Sequence, residues 1–141
     1  MDTDKIYGFN FPTPIRFGAG AINELPDYLL NNGLSRPLLV TDPTIAELPF
    51  FKEIQRKLTG RGIDVIVYHD VHKNPVKSDV LQGGDIYRGN NRDSIIGVGG
   101  GAALDVARAI ALRAHHHRDL FDYDDLIGGD IYVTNEIPHL I

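Results

Sequence analysis

Three consecutive glycines, Gly99-Gly100-Gly101, stand between a short apolar run, Ser94-Ile95-Ile96-Gly97-Val98, and an alanine-rich helical pattern from Ala102 to Ala114. That order predicts a strand, a tight turn and a helix. Glycines at a helix start leave backbone N–H groups with no side chain in front of them. The helix dipole adds partial positive charge at the same place. A phosphate is the ligand that such a corner suits. Glycine also serves simply to permit a turn or a close helix–sheet contact, so the strand–turn–helix context decides between the readings, and here it is present.

The rest of the chain repeats the alternation. Pro37-Leu38-Leu39-Val40-Thr41-Asp42 and Asp64-Val65-Ile66-Val67-Tyr68 read as buried strands, and Ile137 to Ile141 as the beginning of another. A helix is expected over Ala21 to Asn31, with Ile22, Leu25 and Leu29 on one face and Gly33 placed to stop it. A second is expected over Phe51 to Leu58, with Phe51, Ile54 and Leu58 at helical spacing. A third opens at Asn74-Pro75, with Asn74 as cap and Pro75 in the first turn; Val76, Val80, Ile86 and Tyr87 give it an apolar side that Gly83 and Gly84 weaken. Strand and helix in alternation predict an α/β fold, a parallel sheet flanked by helices on both faces, and 141 residues suit one such domain. Phe9, Phe11, Ile15 and Phe17 alternate around Pro12 and Pro14 and read as an edge strand. That strand is either a flap over its own core or the pairing surface of a homodimer.

With a net charge of -5 and no basic run, nucleic acid and anionic membrane are poor partners. Zero cysteines exclude disulfides and thiol-ligated metals. The polar start, Met1-Asp2-Thr3-Asp4-Lys5, carries no secretory pattern and no run is long enough to span a bilayer, so a cytoplasmic protein is expected. His115, His116 and His117 are adjacent and diverge on a helix, so they read as solvated surface histidines. His69 and His72 lack a third ligand, and Asp122, Asp124 and Asp125 lack the spacing of a calcium loop. No metal ligand and no catalytic residue is assigned within the chain.

Gly97-Val98-Gly99-Gly100-Gly101-Ala102 fits G-x-G-x-x-A, which calls for an acidic residue about twenty positions later at the end of the next strand. Asp119 and Asp122 stand at that distance but in a polar loop. The carboxylate at a strand end is Asp42, which precedes the glycines. Taken alone, Asp42 before Pro43 and Thr44 reads as a turn-initiating residue; its partnership with the glycine corner makes it a candidate ribose contact. The ordinary Rossmann order therefore fails, and a site would be assembled from strand ends in another sequence.

Phe11-Pro12-Thr13-Pro14-Ile15-Arg16-Phe17-Gly18-Ala19-Gly20-Ala21, Leu38-Leu39-Val40-Thr41-Asp42, Asn74-Pro75 and Gly99-Gly100-Gly101-Ala102-Ala103-Leu104-Asp105 together resemble the successive signatures of the iron-containing (group III) alcohol dehydrogenases. The resemblance covers nearly the whole chain. It implies a Rossmann-like, NAD(P)-binding domain over residues 1–141, truncated at its C-terminal end and lacking the family's all-helical metal-binding domain. The parent enzyme would interconvert alcohols with aldehydes or ketones by hydride transfer. By the same resemblance Asp42 would bind the adenosine ribose and Asn74 would lie beside the cofactor. Gly100, Gly101 and Ala102 would hold the pyrophosphate, Gly99 would be a further cofactor-binding residue, and Asp105 would lie near the nicotinamide side. Asp42 favours NAD over NADP, because its carboxylate meets a 2′-phosphate like against like. The chain departs from the family at Ala102, where serine is usual, and at Arg108, where lysine is usual; a lost hydroxyl hydrogen bond costs about 1 kcal/mol. The family's threonine- and glycine-rich loop, and the Asp and His ligands for Fe²⁺ or another divalent metal, would lie beyond Ile141, so the chain alone is expected to be inactive. Glycerol dehydrogenases and dehydroquinate synthases look similar over the glycine corner, but Phe11-Pro12-Thr13 favours the alcohol dehydrogenases. A free-standing nucleotide-binding module is the remaining alternative, and the apolar end counts against it.

Overall fold

The computed structural model describes residues 13–141. Strand β1, Pro37–Val40, is the hydrophobic run at the centre of a four-stranded sheet, and all four of its residues are buried. Parallel to it on one side runs β2, Ile66–Tyr68, with Leu38 opposite Ile66 and Val40 opposite Tyr68. On its other side runs β3, Ser94–Gly97, with Leu38 opposite Ile95 and Val40 opposite Gly97. Beyond β3 lies β4, His139–Leu140, also parallel. The order is β2-β1-β3-β4. This confirms the expected parallel α/β sheet, and it places the reversal of strand order between β1 and β3.

A continuous apolar run is what a strand covered on both faces requires, because neighbouring side chains point to opposite sides. Leu38, Val40 and Ile95 enter one core, with Val80 and Tyr87 of α4 (Lys77–Gly89) and Val106, Ile110 and Ala111 of α5 (Gly101–His115). Leu39 and Ile96 enter the other, with Leu25 and Leu29 of α1 (Leu25–Asn31) and Phe51, Ile54 and Leu58 of α3 (Pro49–Thr59). The one-turn α2, Pro43–Ala46, follows β1 directly. Helix α1 stops where Gly33 predicts. Gly33 adopts φ 71, its N–H donates to Leu30 O at 3.0 Å, and the Leu34 N–H donates to Leu29 O at 2.9 Å, which satisfies two orphan carbonyls of the last turn.

Several expectations need correction. Phe9, Phe11 and Pro12 of the predicted edge strand lie outside the described residues, and Pro14 to Phe17 form no strand, with Ile15 and Phe17 exposed. Residues Ala21–Glu24 form a 3-10 turn before α1, which swings Ile22 out of the buried face. Asn74 is not a helix cap. Val76 occupies that position in an extended conformation, and the Asp79 carboxylate accepts the Val76 N–H at 3.1 Å. A residue before proline avoids helical geometry, and the acid one turn inside the helix satisfies the first amide from below. Gly83 and Gly84, expected to weaken the apolar side of α4, are buried in it and allow the close approach of α5. A Cβ at Gly83 would stand 2.2 Å from Ile110 Cδ1, and one at Gly84 would stand 2.9 Å from Arg113 Cγ.

His116 is also not solvated: it is 3% exposed. Its Nδ1 lies 2.9 Å from Leu112 O, and its Nε2 accepts the Asn135 N–H at 3.0 Å. The neutral ring with hydrogen on Nδ1 satisfies both partners. His115 reaches Glu136 O at 2.7 Å through Nδ1, so these side chains tether the segment that leads to β4. No described helix is long and apolar enough to cross a membrane.

Candidate functional site

In an open parallel sheet the loops beyond the C-terminal strand ends diverge where strand order reverses, which opens a crevice. Here a cleft of about 790 Å³ lies at that place, lined by Asp42–Ile45 after β1, Asp70–Lys73 after β2 and Gly100–Ala103 at the start of α5. The glycine corner and Asp42 are therefore brought together, although they are far apart in sequence.

The rim is fastened by short polar links. The buried Thr41 hydroxyl donates to Val98 O at 2.7 Å. The Val98 N–H donates to Val40 O at 2.9 Å, and the Thr41 N–H to Tyr68 O at 3.0 Å. Chain direction at the ends of β1 and β3 is thereby fixed just before Asp42 and Gly99. The first intrahelical bond of α5 runs from the Leu104 N–H to Gly100 O at 3.1 Å. Gly101, Ala102 and Ala103 thus present N–H groups that no residue of the helix can accept. Nothing lies within 4 Å of the positions where Gly100 or Gly101 would carry a Cβ. Backbone donors, a helix N-terminus and open space in front of them suit an anion.

Asp42 divides its carboxylate between two tasks. Its Oδ1 accepts the N–H of Thr44 at 2.8 Å and of Ile45 at 2.9 Å, the ordinary capping bonds of an Asp at a helix start. Its Oδ2 takes no part in those bonds and stands 3.9 Å from the position of a Gly99 Cβ. The turn-initiating reading and the ligand-contact reading are compatible, because each uses a different oxygen.

The structure separates two of the remaining candidates from the cleft lining. Asn74 is exposed, one residue past the lining segment. Asp105 is exposed on α5 and pairs with Arg108 Nη1 at 2.9 Å. Ala102 lines the cleft, and Gly99 sits behind it against Ala103 and Ile45. Sequence reasoning missed the wall formed by Asp70–Lys73. The available signal was the end of β2, since in a parallel sheet every strand ends at the same edge.

Behind that wall lies Asp79, 2% exposed. Its Oδ1 is 2.6 Å from His72 Nδ1, and its Oδ2 accepts the amide N–H of His72 at 3.2 Å and of Val76 at 3.1 Å. Burial pushes the Asp79 carboxyl up, but the bonds from the His72 ring and from the two amides outweigh it and hold the carboxyl below its ordinary value. At neighbouring Tyr68, burial, reinforced by the charges of Asp79 and Asp70, pushes the hydroxyl up to about 12. Among the described residues, no three or more His, Asp or Glu side chains gather as a metal site.

This architecture defines the class: an open, parallel α/β domain with a cleft at its switch point. The chain belongs to the iron-containing alcohol dehydrogenase family, whose model matches residues 12–141. It is 34% identical over 136 residues to choline dehydrogenase of Bacillus subtilis, covering 96% of this chain and 34% of that protein. It superposes with a TM-score of 0.76 and 28% identity on an NADH-dependent butanol dehydrogenase from Thermotoga maritima, covering 84% of this chain and 30% of that one. A sulfoacetaldehyde reductase from Bifidobacterium kashiwanohense in complex with NAD+ gives a TM-score of 0.74 and 28% identity, covering 84% and 31% respectively. The chain spans about a third of the length of these proteins.

Proposed function

We propose that residues 1–141 are the dinucleotide-binding domain of an NAD-dependent alcohol dehydrogenase that also uses a divalent metal. One observation carries the reading: the first backbone N–H groups of α5 and the side chain of Asp42, whose Oδ2 takes no part in the capping bonds, belong to residues that line one cleft at the sheet's switch point. Family membership supports it, as do the NADH-dependent and NAD+-bound structural relatives.

Within this domain, Gly100, Gly101 and Ala102 would donate their N–H groups to the pyrophosphate, as anions at helix N-termini require. Ala102 supplies an N–H but no hydroxyl. The Asp42 Oδ2 would accept a ribose hydroxyl, and its charge disfavours a 2′-phosphate, so NAD is preferred over NADP. The Thr41 hydroxyl keeps Asp42 and the corner in register. The nicotinamide, when bound, supplies hydride exchange with the alcohol carbon, and the metal named by the family supplies Lewis-acid polarisation in the whole enzyme. The metal's ligands, the alcohol pocket and the remaining cofactor contacts would come from chain beyond residue 141, and the protein would act in the cytoplasm.

NADH fluorescence tests the proposal. Titrating the chain with NADH should give saturable enhancement that NAD+ reverses and NADP+ reverses poorly. No saturable change, or stronger competition by NADP+, would count against it.

A further inference from the structure

The walls of the cleft follow the ends of β1, β2 and β3, and one buried residue is tied to all of those ends. Thr41 is 0% exposed. It follows the last residue of β1, its N–H donates to Tyr68 O of β2 at 3.0 Å, and its hydroxyl donates to Val98 O, just past β3, at 2.7 Å. Asp42 is the next residue along, Asp70–Lys73 follow Tyr68 closely, and Gly99 adjoins Val98. A side chain so enclosed touches no ligand in the cleft, so its influence on binding passes through its neighbours.

These bonds differ in what they hold. The Thr41 N–H to Tyr68 O and the Val98 N–H to Val40 O continue the sheet, and any residue except proline makes them. The hydroxyl holds a carbonyl that the sheet does not. Among the described residues, it is the one donor that Val98 O receives. That carbonyl belongs to the rigid peptide unit between Val98 and Gly99, which turns only about Val98 ψ and Gly99 φ. Gly99, at φ 145, has both signs of φ open to it. With the Val98 N–H already held, this peptide is the point where the corner is free to rotate once the hydroxyl is gone. A rotated peptide would meet Asp42, whose Oδ2 stands only 3.9 Å from the position of a Gly99 Cβ. The oxygen that the capping bonds leave free would then be spent or screened.

We infer that Thr41 is a positioning residue for dinucleotide binding. Its hydroxyl locks the Val98–Gly99 peptide, which keeps the Asp42 Oδ2 open and at a fixed spacing from the α5 donors, so that one ligand bridges both. The inference rests on the cofactor reading above and adds the residue that sets this spacing.

Amide chemical-shift titrations with inorganic pyrophosphate and with ADP-ribose, followed at Gly101 and Ala102, test it. Pyrophosphate needs the α5 donors alone, whereas ADP-ribose needs them and Asp42 together. Thr41→Val removes the hydroxyl and keeps the branched shape. It should weaken ADP-ribose binding roughly five- to ten-fold, the scale of one lost hydrogen bond, and leave pyrophosphate binding within about two-fold. Thr41→Ser keeps the hydroxyl and should bring ADP-ribose affinity back to within about two-fold of the unaltered chain. Equal losses for both ligands, full ADP-ribose affinity in Thr41→Val, or no rescue by serine overturns the inference and leaves the cofactor reading standing. No ADP-ribose binding by the unaltered chain overturns both. A further readout does not depend on how the variants fold: in the unaltered chain the Thr41 hydroxyl proton should exchange slowly enough to give its own resonance. A hydroxyl proton that merges with bulk water overturns the lock.

Discussion

Gly99 and Gly100 are neighbours, both exposed, yet an added methyl group meets opposite conditions at the two positions. Gly99 has φ 145, and a Cβ there would lie 3.1 Å from both Ala103 Cβ and Ile45 Cδ1. Gly100 has φ -85 and ψ -167, and a Cβ there would meet nothing within 4 Å. Alanine at either position stabilises by about 0.4–1 kcal/mol through the narrower unfolded ensemble. At Gly99 a backbone penalty of about 1–3 kcal/mol opposes that gain, before any crowding, leaving a net loss of about 1–2 kcal/mol. For a domain of this size the loss corresponds to roughly 3–8 °C in Tm. At Gly100 Tm should hold or rise slightly, but the methyl stands in the open space before the α5 donors. There NADH affinity should fall roughly ten-fold or more, as when charge-assisted hydrogen bonds are lost. Thermal unfolding by circular dichroism and NADH fluorescence titration measure the two quantities separately. The reasoning fails if Gly99→Ala melts like the unaltered chain, or if Gly100→Ala keeps full affinity.

The packing of α4 on α5 predicts that Gly83→Ala destabilises by about 1–3 kcal/mol despite alanine's better helix propensity. Adding Ile110→Val, which removes the Cδ1 atom in the way, should recover part of that loss; strictly additive melting temperatures would contradict the packing argument. Asp79→Asn should destabilise by about 1–3 kcal/mol at neutral pH, the scale for disrupting a buried charged acceptor. The Asp79 carboxyl lies below its ordinary value in the folded state. Its stabilisation is therefore complete above the unfolded carboxyl range, near pH 4, and is lost as pH falls through the folded value. Urea unfolding should accordingly show the gap between variant and unaltered chain shrinking in acid, whereas a gap constant from neutrality to about pH 3 would refute it. Asp42→Asn should retain the α2 cap, since asparagine caps as well as aspartate. Its NADP+ affinity should rise roughly ten-fold relative to NAD+, read by competition against NADH, and an unchanged ratio would remove Asp42 from cofactor selection.

Much of the fold is written in local pattern. The runs at Leu38–Val40 and Ile95–Ile96 are apolar at every position because both faces of the sheet are covered. Helical spacing at Phe51, Ile54 and Leu58 marks a single buried stripe. The glycine corner and Asp42 were legible because strand ends gather at one sheet edge. Features set by tertiary contact were not. Gly83 and Gly84 resemble defects in a helix until Ile110 and Arg113 are placed against them. His116 resembles its exposed neighbours until Leu112 and Asn135 occupy its two nitrogens. Asp79 stands one turn inside a helix start, an ordinary place for an acid, and only the fold brings His72 onto it. Asn74-Pro75 misled because a proline near a helix start usually lies in the first turn, whereas here it belongs to the extended approach.

Amide chemical-shift mapping with NAD+ tests the dinucleotide site most directly, because it reports every backbone N–H at once. Shifts should concentrate at Thr41–Ile45, Asp70–Lys73 and Gly99–Ala103, with the amides of Gly101 and Ala102 moving most. Saturating NAD+ that leaves those amides unmoved, or that shifts the outer face of α4 around Gln82 and Asn90 instead, would contradict the assignment of the glycine corner and Asp42 as one binding site.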